Sequence, residues 1–496
     1  MAGIRKQAII SSILVYMGTL IGAVNTYFFV KNGSFTEIQY GLTRFYSDLG
    51  QNFFIFASLG VIPVLYKFFP YFADNLGKKE NDLFGRSLMK SLFGFAAVLI
   101  AAVILEPLFI RKFSNRSPLA LDYYFWVLPY ALGMLLFSLL EGYAWALQKT
   151  IVSNFLRETG MRIFTLIFIL LYYFGLISFH VFMILFSMLY LLIGLCLLIY
   201  LVKTGQLHIT FRKSRVSRKY GKKMQSMQIL VFGGIIITTL GQTIDGFIIA
   251  SLLGLGPTGI YTLALYASNL IQIPQRSIQS IATGVLSRKW KDKELTDIAR
   301  IYQRSSINLL ILSLFLFGNM WLNIRDGLDV LNIQDQYAAG IPLVLIFGII
   351  RIIDGGTGVN SQIIGTSTFW RFEFLSGVIM LALRIPLSYI FIKEFGIVGS
   401  AYSDLISLGI YNYIRFEFLR RKFKMQPFTK ETVFSLILAF AAFFIAYFAG
   451  GNLGGWTAII LRSVLFSGIM IAGVFALRLT PDAFQLLELG RKKLMR

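Results

Sequence analysis

Three arginines sit near the middle of apolar runs long enough to cross a bilayer: Arg276, Arg351 and Arg384. A charge at that depth is costly unless it faces a partner or a water-filled cavity, so these positions are the first guide to function. A guanidinium presents a planar fork of donors that matches phosphate oxygens, and the chemistry implied is recognition of an anion. Arg276 belongs to a series, Asn269, Gln272, Arg276 and Gln279, whose intervals of three, four and three put all four on one helical stripe. Such a stripe lines an aqueous cleft or forms a satisfied seam between helices; the lack of an acid within one turn of Arg276 favours the cleft. Arg351 has Asp354 three residues on and can pair with it. Alternatively, the two hold a substrate or ion at the break expected in GGTGVN, which ends at Asn360 and carries three glycines in four residues. Arg384, two residues before Pro386, is also expected to face the cavity.

Carboxylates offer a second kind of chemistry. Asp245, near Gln242, has no basic residue within a turn. It can take a proton or sodium ion during a transport cycle or serve as a hydrogen-bonded structural group. Asp354 and Asp48 are the further ion-coupling candidates. Arg44 precedes Asp48 by four residues, so it either pairs with that acid or joins the substrate contacts. Glu106, Glu141 and Arg462 lie near the ends of their runs, where snorkelling to the interface is the simpler account. Cys196 reads as a small buried hydrophobe, and the separated His180 and His208 make no metal motif. No cofactor is expected, and no GxxxxGK run supports ATP-driven chemistry.

The elements that must position these groups are membrane helices. Of 496 residues, 56% are hydrophobic and 14% charged, and the mean hydropathy is +0.69, far from the balance of a water-soluble globule. Fourteen apolar segments, from 8–30 to 456–478, approach or exceed the ~20 residues that span a bilayer core. Barrel strands would be shorter and would alternate in polarity. The net charge of +23 does not imply nucleic acid, because the cations fall in loops on one side. With the N-terminus placed in the cytoplasm, thirty-five Lys and Arg fall on that side and seven on the other, so both termini are expected to be cytoplasmic. Anionic lipids are the expected neighbours of those cations. The first apolar run is too long for a cleavable signal peptide and is read as a span.

The longest basic stretch, 203–223, carries eight Lys or Arg and no acid. It divides the chain into an N-terminal six-helix bundle (1–202), a linker (203–224), a second six-helix bundle (225–425), and a final pair of helices with a tail (426–496). The halves echo each other: SLGVIP, ending at Pro63, precedes one charged turn, and NLIQIP, ending at Pro274, precedes another. Even-numbered repeats would be parallel.

Six, six and two spans, the basic central loop, GQTIDGFIIASLLG and GIYTLALYASNLIQIP together resemble the polysaccharide exporters of the multidrug, oligosaccharidyl-lipid and polysaccharide superfamily, most of all the Wzx-type O-antigen or capsule repeat-unit flippases. The resemblance covers nearly the whole chain. It implies a V-shaped pair of bundles in the bacterial inner membrane, alternating access, and a cationic cleft for an undecaprenyl-diphosphate-linked oligosaccharide. In that cleft Arg276, Arg351, Arg384 and Arg44 would meet the diphosphate, and Asn269, Gln272, Gln279 and Asn360 the sugar. It further implies coupling to a proton or sodium gradient or the membrane potential, and a polysaccharide polymerase and chain-length regulator as partners. The related lipid II flippase is the alternative, opposed by the lack of arginine between Lys6 and Lys31. A membrane-embedded polymerase or ligase is the alternative from another class, opposed by the short connections on the outer side.

Overall fold

A computed structural model describes residues 2–451 and 453–482. The basic tail residues expected to face the cytoplasm within 483–496 lie outside the described residues. The chain is all-helical: α1 (Ala2–Val30), α2 (Glu37–Ser58), α3 (Val61–Ala73), α4 (Leu83–Phe113), α5 (Leu119–Asp122), α6 (Val127–Ala146), α7 (Thr150–Phe155), α8 (Met161–Tyr173), α9 (Phe179–Lys203), α10 (Arg215–Leu252), α11 (Leu255–Leu270), α12 (Ile273–Lys291), α13 (Leu295–Val330), α14 (Gln334–Tyr337), α15 (Ile341–Gly356), α16 (Asn360–Thr366), α17 (Trp370–Phe395), α18 (Val398–Phe423), α19 (Lys430–Ala449) and α20 (Gly455–Ala476). Helices satisfy their own backbone groups, which is what a hydrocarbon surrounding demands. Side chains close some of the exposed starts: Thr36 and Gln39 form a reciprocal cap on α2, and Ser178 and Ser214 accept from Val181 N and Ser217 N.

Among the described residues nine helices are long and apolar enough to cross a membrane, or ten if the bent α2–α3 pair is one span. The protein is therefore a polytopic helical membrane protein. Each of the fourteen apolar segments falls on a helix or on consecutive helices. Two of the four that miss the criterion show why: α8 is 13 residues long because a π-turn, Leu156–Gly160, precedes it, and the apolarity of α18 is diluted by polar residues that include Asp404, Asn412 and Arg415. Large apolar side chains on α4, including Phe93, Ile100, Ile104 and Leu108, are exposed in a row that water would not tolerate but acyl chains would.

Three expected spans are broken. Between α2 and α3, Leu59 and Gly60 both take left-handed backbone and the axis turns by 45°. Between α11 and α12 the break falls at Ile271–Gln272, just before Pro274, whose ring removes a donor and clashes with the preceding turn. The two echoing motifs thus mark helix breaks, where the sequence suggested continuous helices. The third, at GGTGVN, is the one expected: α15 ends at Gly356 and Gly358 has φ +63° before α16.

The chain divides into two compact units, residues 1–259 and 260–496, with the boundary inside α11. In the first unit α6 packs along α9, α2 lies against α4 and α6, and α1 meets α8. Gly133 allows α6 to approach the backbone of Tyr190 and Leu191. α10, expected from the sequence in the second bundle, packs on α2, α3 and α4. In the second unit α17 and α18 form a hairpin, α15 packs on α13 and α18, and the final pair, α19 and α20, packs on α13.

Candidate functional site

In the second unit, the break before α12 and the break after α15 bring together polar side chains from five helices, α11, α12, α15, α17 and α18. Arg351 reaches from α15 to α11, where its Nη2 donates to Asn269 Oδ1 at 2.9 Å. Arg276 on α12 and Arg384 on α17 lie within electrostatic reach of Arg351, as do Asp354 and Asp404. Arg276 is exposed, Arg351 half-buried and Arg384 buried. The Nε of Arg351 is buried and donates to no group among the described residues. A desolvated donor without an acceptor is costly, and an anion arriving beside it would remove that cost.

The surrounding residues divide between this cluster and the fold itself. Gln275, which the sequence stripe passed over, donates to Asp354 Oδ2 at 2.7 Å, and Asn412 donates to Asp354 Oδ1 at 3.4 Å. Asn360 is buried and donates to Asn412 Oδ1 at 3.4 Å. Gln272 and Gln279 are half-buried on the chain around Arg276. Arg384 pairs with Asp404 of α18 at 2.6 Å, an acid that sequence spacing did not bring to it. Near the α16 end, Glu373 accepts from Arg415 Nε at 3.1 Å, Tyr411 OH at 3.2 Å and Ser361 Oγ at 2.7 Å. Arg415, one of the thirty-five Lys and Arg counted on the expected cytoplasmic side, is therefore buried and paired.

The first unit has its own polar cluster. Arg44 Nε donates to Asp48 Oδ2 at 3.0 Å, which realises the expected pair. Asn52 donates to Asp48 O at 2.7 Å and to Thr243 Oγ1 of α10 at 2.9 Å. Asp245, one turn from Gln242 on the same helix, lies within electrostatic reach of Asp48, and both acids are buried, at 1% and 2% exposure. Spacing alone did not join them, because they are on different helices. Among the described residues no group of three or more His, Cys, Asp or Glu could hold a metal ion.

Three expectations are corrected. Glu141 does not snorkel; it is buried and accepts from Arg157 at 2.7 Å. Arg462 is buried too, donating to Asp326 at 2.5 Å and to Gly450 O at 3.1 Å, because the turn before α20 folds back over it. Cys196 is exposed on α9, on a helix whose apolar surface faces outward over much of its length. Outside the spans, the hydrogen bonds that the Lys289 ammonium donates to Asp297 and then to Glu294 hold it above the usual lysine range.

The arginines and acids of these clusters come from separate helices of a polytopic helical fold. No protein-family model and no curated protein sequence matches the chain. Solved structures do. The structure of the lipid II flippase MurJ in an inward closed conformation matches with a TM-score of 0.72 at 14% identity, over 95% of this chain and 99% of that one. An inward-facing multidrug resistance MATE transporter of the MOP superfamily matches with a TM-score of 0.60 at 12% identity, over 84% and 98%. A MOP superfamily transporter from Pyrococcus furiosus matches with a TM-score of 0.57 at 15% identity, over 84% and 96%. The chain has the fold of MOP-superfamily transporters.

Proposed function

We propose that the protein is a flippase that moves a polyprenyl-diphosphate-linked saccharide across the bacterial inner membrane by alternating access. The observation that carries this reading is the gathering of Arg276, Arg351 and Arg384 around the buried, undonated Nε of Arg351, on a fold shared along almost its full length with a lipid II flippase. Arg276 and Arg351 hold the diphosphate, Arg384 stands behind them on Asp404, and Asn269, Gln272 and Gln279 meet sugar hydroxyls. In this reading all fourteen segments span.

For the cargo, the fold likeness favours lipid II over an O-antigen or capsule repeat unit. The sequence objection to lipid II was the absence of arginine in the first helix. Arg162 of α8 lays its guanidinium against Gly18 and Gly22 of α1 while pairing with Glu158 at 3.5 Å, so a cation, partly offset by that acid, stands on that face although α1 does not encode it. Purified protein in proteoliposomes should deliver labelled lipid II to the opposite leaflet faster than protein-free vesicles do. Delivery of an undecaprenyl-diphosphate-linked repeat unit with no delivery of lipid II would return the cargo to the polysaccharide class; delivery of neither would remove the flippase reading.

Orientation and coupling complete the proposal. Both termini and the 203–223 loop face the cytoplasm, so reporter fusions at Lys219, Asn332 and Arg496 should read inside, outside and inside. An inside signal at Asn332 would overturn the registration of the second unit. Asp245 and Asp48 form the coupling site, because two acids buried together can exchange a proton or a sodium ion as the cycle turns. Flipping by Asp245→Asn should lose its dependence on the ion gradient; full retention would pass the role to Asp354.

A further inference from the structure

The first unit contains a basic cavity that the flipping site leaves unused. It has a volume of about 440 Å³ and is lined by Arg86 and Lys90 of α4, Lys213 of the central linker, and Arg218 and Lys222 of α10. No carboxylate is among its lining residues. The five cations come from two stretches far apart in sequence, and the hydrogen bonds beneath them show that their approach is fixed. Buried Asp82 accepts from Ser214 N at 3.1 Å and from Ser217 Oγ at 2.7 Å, tying the start of α10 to the start of α4. Lys90 donates to Gln228 Oε1 at 2.9 Å, and Gln228 donates to Leu59 O at 2.9 Å, which sets the opposite wall.

Arg86 and Lys90 are one helical turn apart, and so are Arg218 and Lys222. Like charges at that spacing repel. Asp82 lies 3.9 Å from Arg86 and offsets part of one charge, leaving the others facing a hollow. An anion in that space would offset their mutual repulsion. The hollow is larger than a single phosphate requires, and Val61, Val64, Leu83 and Met224 give it an apolar wall beside the cations. A phosphate ester with an uncharged portion satisfies both surfaces.

We propose that this cavity is a binding site for a phosphate-bearing anion, distinct from the cargo site and independent of which saccharide is flipped. The phosphate is supplied by the headgroup of an anionic membrane lipid or by a soluble polyphosphate, since basic pockets beside membrane helices can hold either chemistry.

The test uses the full chain purified in detergent, with phosphatidylglycerol in mixed micelles and inorganic pyrophosphate as separate probes, and phosphatidylcholine as the uncharged-headgroup comparison. Binding is read by native mass spectrometry and by the shift in melting temperature. The variant Arg218→Gln/Lys222→Gln removes two exposed cations from the cavity. Lys78→Gln/Lys79→Gln removes two exposed cations outside it. At least one probe should bind saturably to wild type, with at least tenfold weaker binding to the cavity variant and unchanged binding to the other. Binding of phosphatidylglycerol alone assigns the lipid source; binding of pyrophosphate alone assigns the soluble one; binding of both assigns a phosphate site open to either. No saturable binding, equal binding by the cavity variant, or equal weakening in both variants would overturn the proposal.

Discussion

Proteoliposomes bearing Arg351→Gln should flip a polyprenyl-diphosphate-linked saccharide at least tenfold more slowly than wild type at matched insertion. The guanidinium of Arg351 contacts Asn269 through Nη2 and leaves its Nε for an acceptor that the described residues do not supply. A hydrogen bond to a charged partner contributes about 1.5–3 kcal/mol, or roughly 10–100-fold in affinity or rate. Arg276 is the exposed member of the cluster and should show the graded response of a bidentate contact: wild type fastest, Arg276→Lys slower because the charge remains but the fork is lost, Arg276→Gln slowest. The order should be the same for donors carrying different sugars, because the diphosphate is common to them. Wild-type rates for both Arg276 variants would remove that residue from the site. A loss confined to one sugar would move it from diphosphate to glycan recognition.

Why Arg276 and Arg351 stood out in the sequence, while Gln275 and Asp404 did not, follows from what each level of structure encodes. An arginine inside an apolar run is visible because desolvation makes it improbable by chance. Its partner is visible only when it lies within a turn, as Asp48 does for Arg44. Asp404 is twenty residues from Arg384 and meets it because α17 and α18 fold back as a hairpin, a tertiary event that no local spacing reports. The polar stripe from Asn269 to Gln279 was legible as composition but misread as one continuous helix. The interruption at Ile271–Gln272 separates Asn269 from Arg276 and lets Gln275 reach Asp354. Glycine clusters were better guides than prolines: three glycines announced the break at 357–359, whereas Pro63 and Pro274 sit inside the first turn after a break, a position where proline is also compatible with a helix. The meeting of Asp48 with Asp245 belongs to the same class as Asp404, since α2 and α10 are far apart in sequence and meet only in the tertiary structure.

The Arg384–Asp404 pair separates a structural from a substrate-binding role for the third arginine. Both side chains are about nine-tenths buried, at 10% and 8% exposure, and their contact is 2.6 Å. Ser403 donates to Arg384 O at 3.3 Å and shares a 2.8 Å hydrogen bond with Ser388, so the hairpin is tied beside the pair. Removing one partner of such a pair leaves a buried charge and costs about 3–5 kcal/mol, whereas replacing both with apolar groups of similar size is often neutral. Asp404→Ala should therefore give the largest fall in melting temperature of the purified protein. Arg384→Met alone should fall less, because the carboxylate it strands can be neutralised by a proton, and Arg384→Met/Asp404→Leu should recover most of the loss. Flipping then discriminates the roles, since a folded double variant has lost the guanidinium but not the hairpin. A rate near wild type is the expected result, because Asp404 already neutralises the Arg384 guanidinium through Nη2. A stable double variant that flips as slowly as Arg351→Gln would instead place Arg384 on the diphosphate, with Asp404 releasing it as cargo enters.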